Sequence, residues 1–176
     1  MTRCRSAGTF RRLGPGLETA HTEPGMSIAL HREFTVHRTA DRVWSFLTTP
    51  ESLAACVPGA QLLEISDDRF SGEVDLGLGP LRTRLRGRAV FEELDAERRI
   101  ALLSGEADEV DGDGGAQLRM RSRLGEAGPL TEVEMWLAVR LSGRLDGPIV
   151  RRVLGGASEI LFRRFVSCVK ERLEAG

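Results

Sequence analysis

What this chain of 176 residues lacks narrows it quickly. It has almost no net charge. With 25 basic and 26 acidic residues the formal balance is −1, so no global field drives the chain onto nucleic acid or a membrane surface. No apolar run comes near the ~18 residues of a membrane-spanning helix. Cys4, Cys56 and Cys168 are far apart and share no metal-ligand spacing, so reduced thiols and a cytoplasmic setting are expected. Lysine is nearly absent: Lys170 is the only one, and an arginine bias of this kind reflects genome base composition more than function. A catalytic set is missing too. Cys56 has no histidine near it in sequence, no Ser-His-Asp arrangement stands out, and His31 and His37 sit outward on, and at the end of, one strand. The glycines between Asp108 and Gly115 follow no dinucleotide fingerprint. They also fail as a calcium loop, because twelve positions from Asp111 end on Ser122 and not on glutamate. No catalytic residue, metal or cofactor is expected.

What is present is one long helix and a set of alternating strands. Residues 1–25 carry Arg3, Arg5, Arg11 and Arg12 among scattered Gly and Pro, without periodicity. They read as a disordered leader or a mis-assigned start, with the domain occupying 26–176 and Met26 its effective first residue. Pro148 to Leu173 has a helical pattern, with Pro148 suited to the first position. Ile149, Val150, Val153, Leu154, Ala157, Ile160, Leu161, Phe165 and Cys168 fall on one broad face. Arg164 intrudes into that arc and must snorkel or pair. Such a helix is roughly 40 Å long at 1.5 Å per residue and needs a broad sheet to cover it.

The sheet is legible upstream. Ile28–Val36 reads as a strand with Leu30, Phe34 and Val36 on one face, interrupted by Arg32. Two short helices follow, Ala40–Leu47 and one from Pro50 through Cys56. Strands are then expected at 61–66, 69–76, 81–92, 100–106, 117–124 and 131–141. The clearest is Leu81–Glu92, where Leu81, Thr83, Leu85, Gly87, Ala89 and Phe91 alternate with Arg82, Arg84, Arg86 and Arg88. A four-residue hairpin loop at 77–80 would set Asp75 opposite Arg82 and Glu73 opposite Arg84. In the last strand Trp136 faces outward, to stack on an arginine or mark a contact patch. Hairpin-length loops imply an antiparallel meander whose apolar face is covered by the C-terminal helix. The inward positions mix small and large residues, with Gly72 and Gly87 among Phe and Leu. That mixture fits either an elongated apolar cavity or a solid core with glycines at the bends. Inward polar groups are limited to Thr83, Ser122 and either Ser104 or Glu106, with Glu106 read as outward.

Several short motifs, in order, resemble a known family. They are Asp41-Arg42-Val43-Trp44, Pro50-Glu51-Ser52-Leu53, Cys56-Val57-Pro58-Gly59, Asp68-Arg69-Phe70, Gly79-Pro80-Leu81 running into Arg86-Gly87-Arg88, Ser104-Gly105-Glu106, Ser142-Gly143-Arg144-Leu145, and Gly156-Ala157 with Phe165. From Met26 to the C-terminus the chain resembles the SRPBCC superfamily, and within it the CoxG family, that of the carbon monoxide dehydrogenase G subunit. The resemblance implies an α+β helix-grip (START-like) fold: a curved antiparallel sheet around a long C-terminal helix, with two short helices after the first strand. It also implies a non-catalytic binder or carrier of an apolar small molecule, a quinone or isoprenoid lipid, accessory to a carbon monoxide dehydrogenase-type molybdenum hydroxylase, with a transient membrane contact. Some members continue into an apolar membrane tail; this sequence stops at Gly176, so anchoring by this chain alone is not expected. The acidic run Asp108–Asp113 departs from the family's weakly charged segment, so a partner contacting it would differ. Trp44, Phe46, Phe70, Leu85, Phe91, Met120, Met135, Leu137, Leu161 and Phe165 are the expected lining. The rivals are a polyketide cyclase or dehydratase-like enzyme, which needs a buried acid such as Glu106, and an assembly or recruitment factor with a filled core and a patch around Trp136.

Overall fold

A computed structural model describes residues 26–175. The leader expected at 1–25 lies outside them. The elements run β1 (Met26–Val36), α1 (Ala40–Leu47), α2 (Pro50–Cys56), β2 (Ala60–Ser66), β3 (Arg69–Leu78), β4 (Leu81–Asp95), β5 (Ile100–Glu109), β6 (Gly115–Ala127), β7 (Leu130–Ser142), a short 3-10 turn (Gly143–Leu145) and α3 (Pro148–Glu174). The seven strands form one antiparallel sheet in the order β1-β7-β6-β5-β4-β3-β2. This is the expected α+β helix-grip architecture, with α1 and α2 inserted between the two edge strands.

The alternation that defines β4 settles its faces. Leu85 and Phe91 are buried, while Arg82, Arg84, Arg86 and Arg88 are exposed. The β3–β4 hairpin is tighter than expected. Leu78 pairs with Leu81, so the turn is Gly79-Pro80, with Gly79 at φ +61, a conformation glycine adopts without a side-chain clash. The shorter turn moves the register by two residues. Asp75 lies opposite Arg84 and Glu73 opposite Arg86, and both pairs close as ion pairs, with Arg84 Nε 2.8 Å from Asp75 Oδ1.

On the outer face Trp136 is sandwiched. His31 stacks on one side at 5.1 Å, and the Arg121 guanidinium sits 4.9 Å from the ring on the other. Arg121 is buried by this stack, at 7% exposure.

Helix α3 departs from its expected face. Val150, Phe165 and Val169 are its buried residues, whereas Ile149 and Ile160 are 68% and 51% exposed. Arg164 is exposed as well, outside the core. The arc therefore turns toward Phe165 and Val169 because the helix grips the sheet at its ends. Accordingly the core is split. One cluster gathers α1, α2 and the end of α3 against β1 and β7 through Val43, Leu53, Val133, Phe165 and Val169. The other joins Leu85, Leu141, Leu145 and Val150 at the start of α3.

One expectation fails outright. Cys56 and Cys168 are not free thiols but a disulfide, with Cα atoms 5.4 Å apart and 112 residues between them in sequence. No spacing rule could show this, because the pairing exists only once the end of α2 lies against α3.

A candidate ligand-binding cavity

Across the concave face of the sheet, register aligns a belt of residues with almost no side chain. Gly72 on β3 pairs with Gly87 on β4, Gly87 with Ala107 on β5, and Ala107 with Ala116 on β6. The next inward row, Phe70, Ala89, Gly105, Leu118 and Val139, is also lightly built in its middle. A Cβ on Gly72 would stand 2.7 Å from the Gln61 carbonyl oxygen, and one on Gly87 would meet the Glu106 carbonyl. The glycines thus permit the close strand approach that curves the sheet, and the alanines leave its floor low.

Between this floor and α2 lies a cavity of about 320 Å3. Leu53 and Ala54 of α2, with Val57 just after it, wall one side, and Ala60, Gln61 and Leu62 of β2 continue the rim, where Val57 and Gln61 are exposed. The cavity falls between the two core clusters: Leu53, Phe70 and Leu103 belong to one, Leu85, Ala107 and Val139 to the other.

Of the ten residues expected to line a site, Phe70 and Leu85 are in the cavity wall. Phe91, Met135 and Phe165 are buried in the core cluster beneath it, and Trp44, Phe46 and Met120 pack against that cluster. Leu137 and Leu161 are half-buried and outside the wall. The small residues that make the space, and the α2 residues that roof it, were not among the ten. Their signal was present: Gly and Ala recur at inward positions of four neighbouring strands.

The polar groups resolve clearly. Glu106 points outward, as expected, in an ion pair with Arg88 at 2.7 Å. Thr83 faces inward, but its hydroxyl donates to Glu109 Oε1 at 2.6 Å. Glu109, not Glu106, is the buried acid, with 1% of its side chain exposed. It accepts from Arg144 Nε and Nη2, each at 2.6 Å, and from the Gly114 backbone N–H at 3.0 Å. Arg144 holds its carboxyl well below the usual range, to about 2, against the opposing effect of burial. This carboxylate is committed to a clasp and is not in the cavity wall. The ionisable residues of the wall, Glu73, Arg88 and Glu106, engage their side chains in ion pairs, Glu73 with Arg86 and Arg88 with Glu106. Such a wall can exclude water and hold an apolar guest by contact.

A profile of the CoxG family, described as the G subunit of carbon monoxide dehydrogenase, matches residues 33–174. The chain belongs to the CoxG family. No curated protein matches it. Among solved structures, this CoxG-family chain is similar to a conserved protein from Geobacillus kaustophilus at TM-score 0.74 and 17% identity, covering 84% of this chain and 96% of that one. It is also similar to the Zhui aromatase/cyclase from Streptomyces sp. R1128, at TM-score 0.59 and 15% identity over 85% and 94% of the two chains. A START superfamily protein from Mycobacterium smegmatis matches at TM-score 0.55 and 14% identity over 84% and 97%. At these identities the likeness establishes the fold alone, and that fold also serves an aromatase/cyclase.

Proposed function

We propose that the protein is a non-catalytic binder or carrier of an apolar small molecule, of the quinone or isoprenoid class, serving a carbon monoxide dehydrogenase-type molybdenum hydroxylase. The observation that carries the reading is the apolar cavity over the Gly72–Gly87–Ala107–Ala116 belt, into which no ionisable side chain is committed. Affinity there comes from buried apolar area, at about 25 cal/mol per Å2. Family membership supports the enzyme partner. Among the described residues no helix is long and apolar enough to cross a membrane. The reading keeps a cytoplasmic setting, in which the Cys56–Cys168 bridge would be of the transient, redox-responsive kind.

The test is native mass spectrometry of the purified chain, followed by organic extraction. A co-purifying quinone or isoprenoid is expected. A protein that is empty and takes up no added quinone would leave the assembly-factor role standing. The cyclase alternative, favoured by the fold of the Zhui aromatase/cyclase, requires turnover of a polyketide-like substrate that filling the cavity with Ala116→Phe abolishes.

A further inference from the structure

We propose that the Cys56–Cys168 disulfide is a redox latch on the cavity: oxidised, it holds α2 down as the roof; reduced, it releases α2 and speeds ligand exchange. The inference rests on the cavity being a ligand site and adds how access to it is regulated. Three observations converge. Cys56 is the last residue of α2, and Leu53, Ala54 and Val57 around it are cavity wall. Its partner Cys168 lies on α3 beside Phe165 and Val169, the buried end of that helix, so the bridge ties a light wall to a fixed post. Finally, α2 is a short element, and besides the bridge its anchor in the core is Leu53. It has seven residues, no side-chain cap at Thr49, and Leu53 and Cys56 as its buried residues.

The hinge positions are visible on either side. Thr48 ends α1. Beyond α2, Gly59 sits at φ +80 and is pinned to β3 by the Asp75 N–H donating to its carbonyl at 3.0 Å. With the bridge open, α2 stays tethered at its ends, where the Thr49 hydroxyl donates to the Ser45 carbonyl at 2.6 Å and the Ala60 N–H donates to the Val57 carbonyl at 3.1 Å, so the motion released is that of residues 50–56 between them. The two cysteines are unequally exposed: Cys56 is 3% exposed, Cys168 half-buried. A dithiol reductant would attack at Cys168. Its first thiolate bonds to the Cys168 sulfur, the S–S bond breaks, and Cys56 leaves as a thiolate that takes a proton from water. Its second thiolate then closes the reductant's own disulfide and expels Cys168, which is protonated in turn. Two electrons and two protons pass to the protein for each dithiol oxidised.

The experiment uses the full chain carrying Cys4→Ser, so that the pair supplies the only cysteines, and the neutral three-ring fluorophore N-phenyl-1-naphthylamine as probe. Hydrogen exchange of the α2 amides and stopped-flow release of the probe are measured oxidised and after dithiothreitol. Reduction is expected to raise α2 exchange about tenfold or more and probe release several-fold, with β4–β7 amides unchanged. A Cys56→Ala/Cys168→Ala variant is expected to release the probe at the fast rate with or without reductant. Equal α2 exchange and equal release in the two redox states would overturn the latch. Absence of probe binding in both states would instead overturn the cavity reading, and the α2 amides alone would then decide whether the latch moves.

Discussion

Glu109 is the only carboxylate among the described residues that is removed from solvent, and its four hydrogen bonds join β4, β5, the β5–β6 loop and the turn before α3. Its folded pKa of about 2 lies below the ordinary 4.5, so its stabilising contribution is complete above about pH 4.5 and is lost as pH falls toward 2. Urea unfolding at stepped pH should show a loss on the order of 2–3 kcal/mol across that window from this group. Glu109→Gln should be less stable at neutral pH, because Arg144 loses its partner, and should show a flatter profile between pH 4.5 and 2. Parallel profiles for the two proteins would remove Glu109 from the account. In the sequence this residue was hidden by its neighbours. Asp108, Asp111 and Asp113 read as an acidic loop, yet the inward phase Leu103, Gly105, Ala107 simply continues to Glu109. An isolated acid inside an acidic run gives no pattern; only its partner Arg144, 35 residues on, distinguishes it.

At the scale of elements, what was legible was whatever repeats within one segment. Strict alternation gave β4, and the proline-led apolar pattern gave α3. What was not legible depended on two segments meeting. The Gly79-Pro80 turn set the β3–β4 register, and the grip at its two ends turned α3 away from Ile160. The small-residue belt lies between these cases, since each glycine is visible but their alignment is a register property. The belt makes two separable predictions. Ala116→Phe puts a ring into open cavity, so probe affinity should fall at least tenfold while the melting temperature holds or rises. Gly87→Ala puts a methyl against the Glu106 backbone carbonyl, so the strand must shift, at a cost of about 1–3 kcal/mol. Fluorescence titration and chemical denaturation of both variants check the assignment. Tight probe binding by Ala116→Phe would mean that the guest sits elsewhere.

For the whole molecule, the division of the core into two clusters with a cavity between them has a thermodynamic consequence. Without a guest, the clusters are joined through the sheet and α3, and the space between them contributes no contacts to the folded state. A guest touching Leu53, Phe70 and Leu103 on one side and Leu85 and Val139 on the other makes those contacts and binds only the folded chain. At a free concentration of 100 times its Kd it should stabilise that chain by about 2.7 kcal/mol. For a domain of this size that is roughly 5–10 °C in melting temperature. Protein stripped by organic extraction and refolded should therefore melt lower than protein as purified, and adding a short-chain quinone should restore the difference. The same addition should leave Ala116→Phe unmoved, because its cavity is already filled. Stripped and loaded protein melting together, in a chain whose extraction did release a quinone, would mean that the released molecule had been held on the surface and not between the two halves of the core.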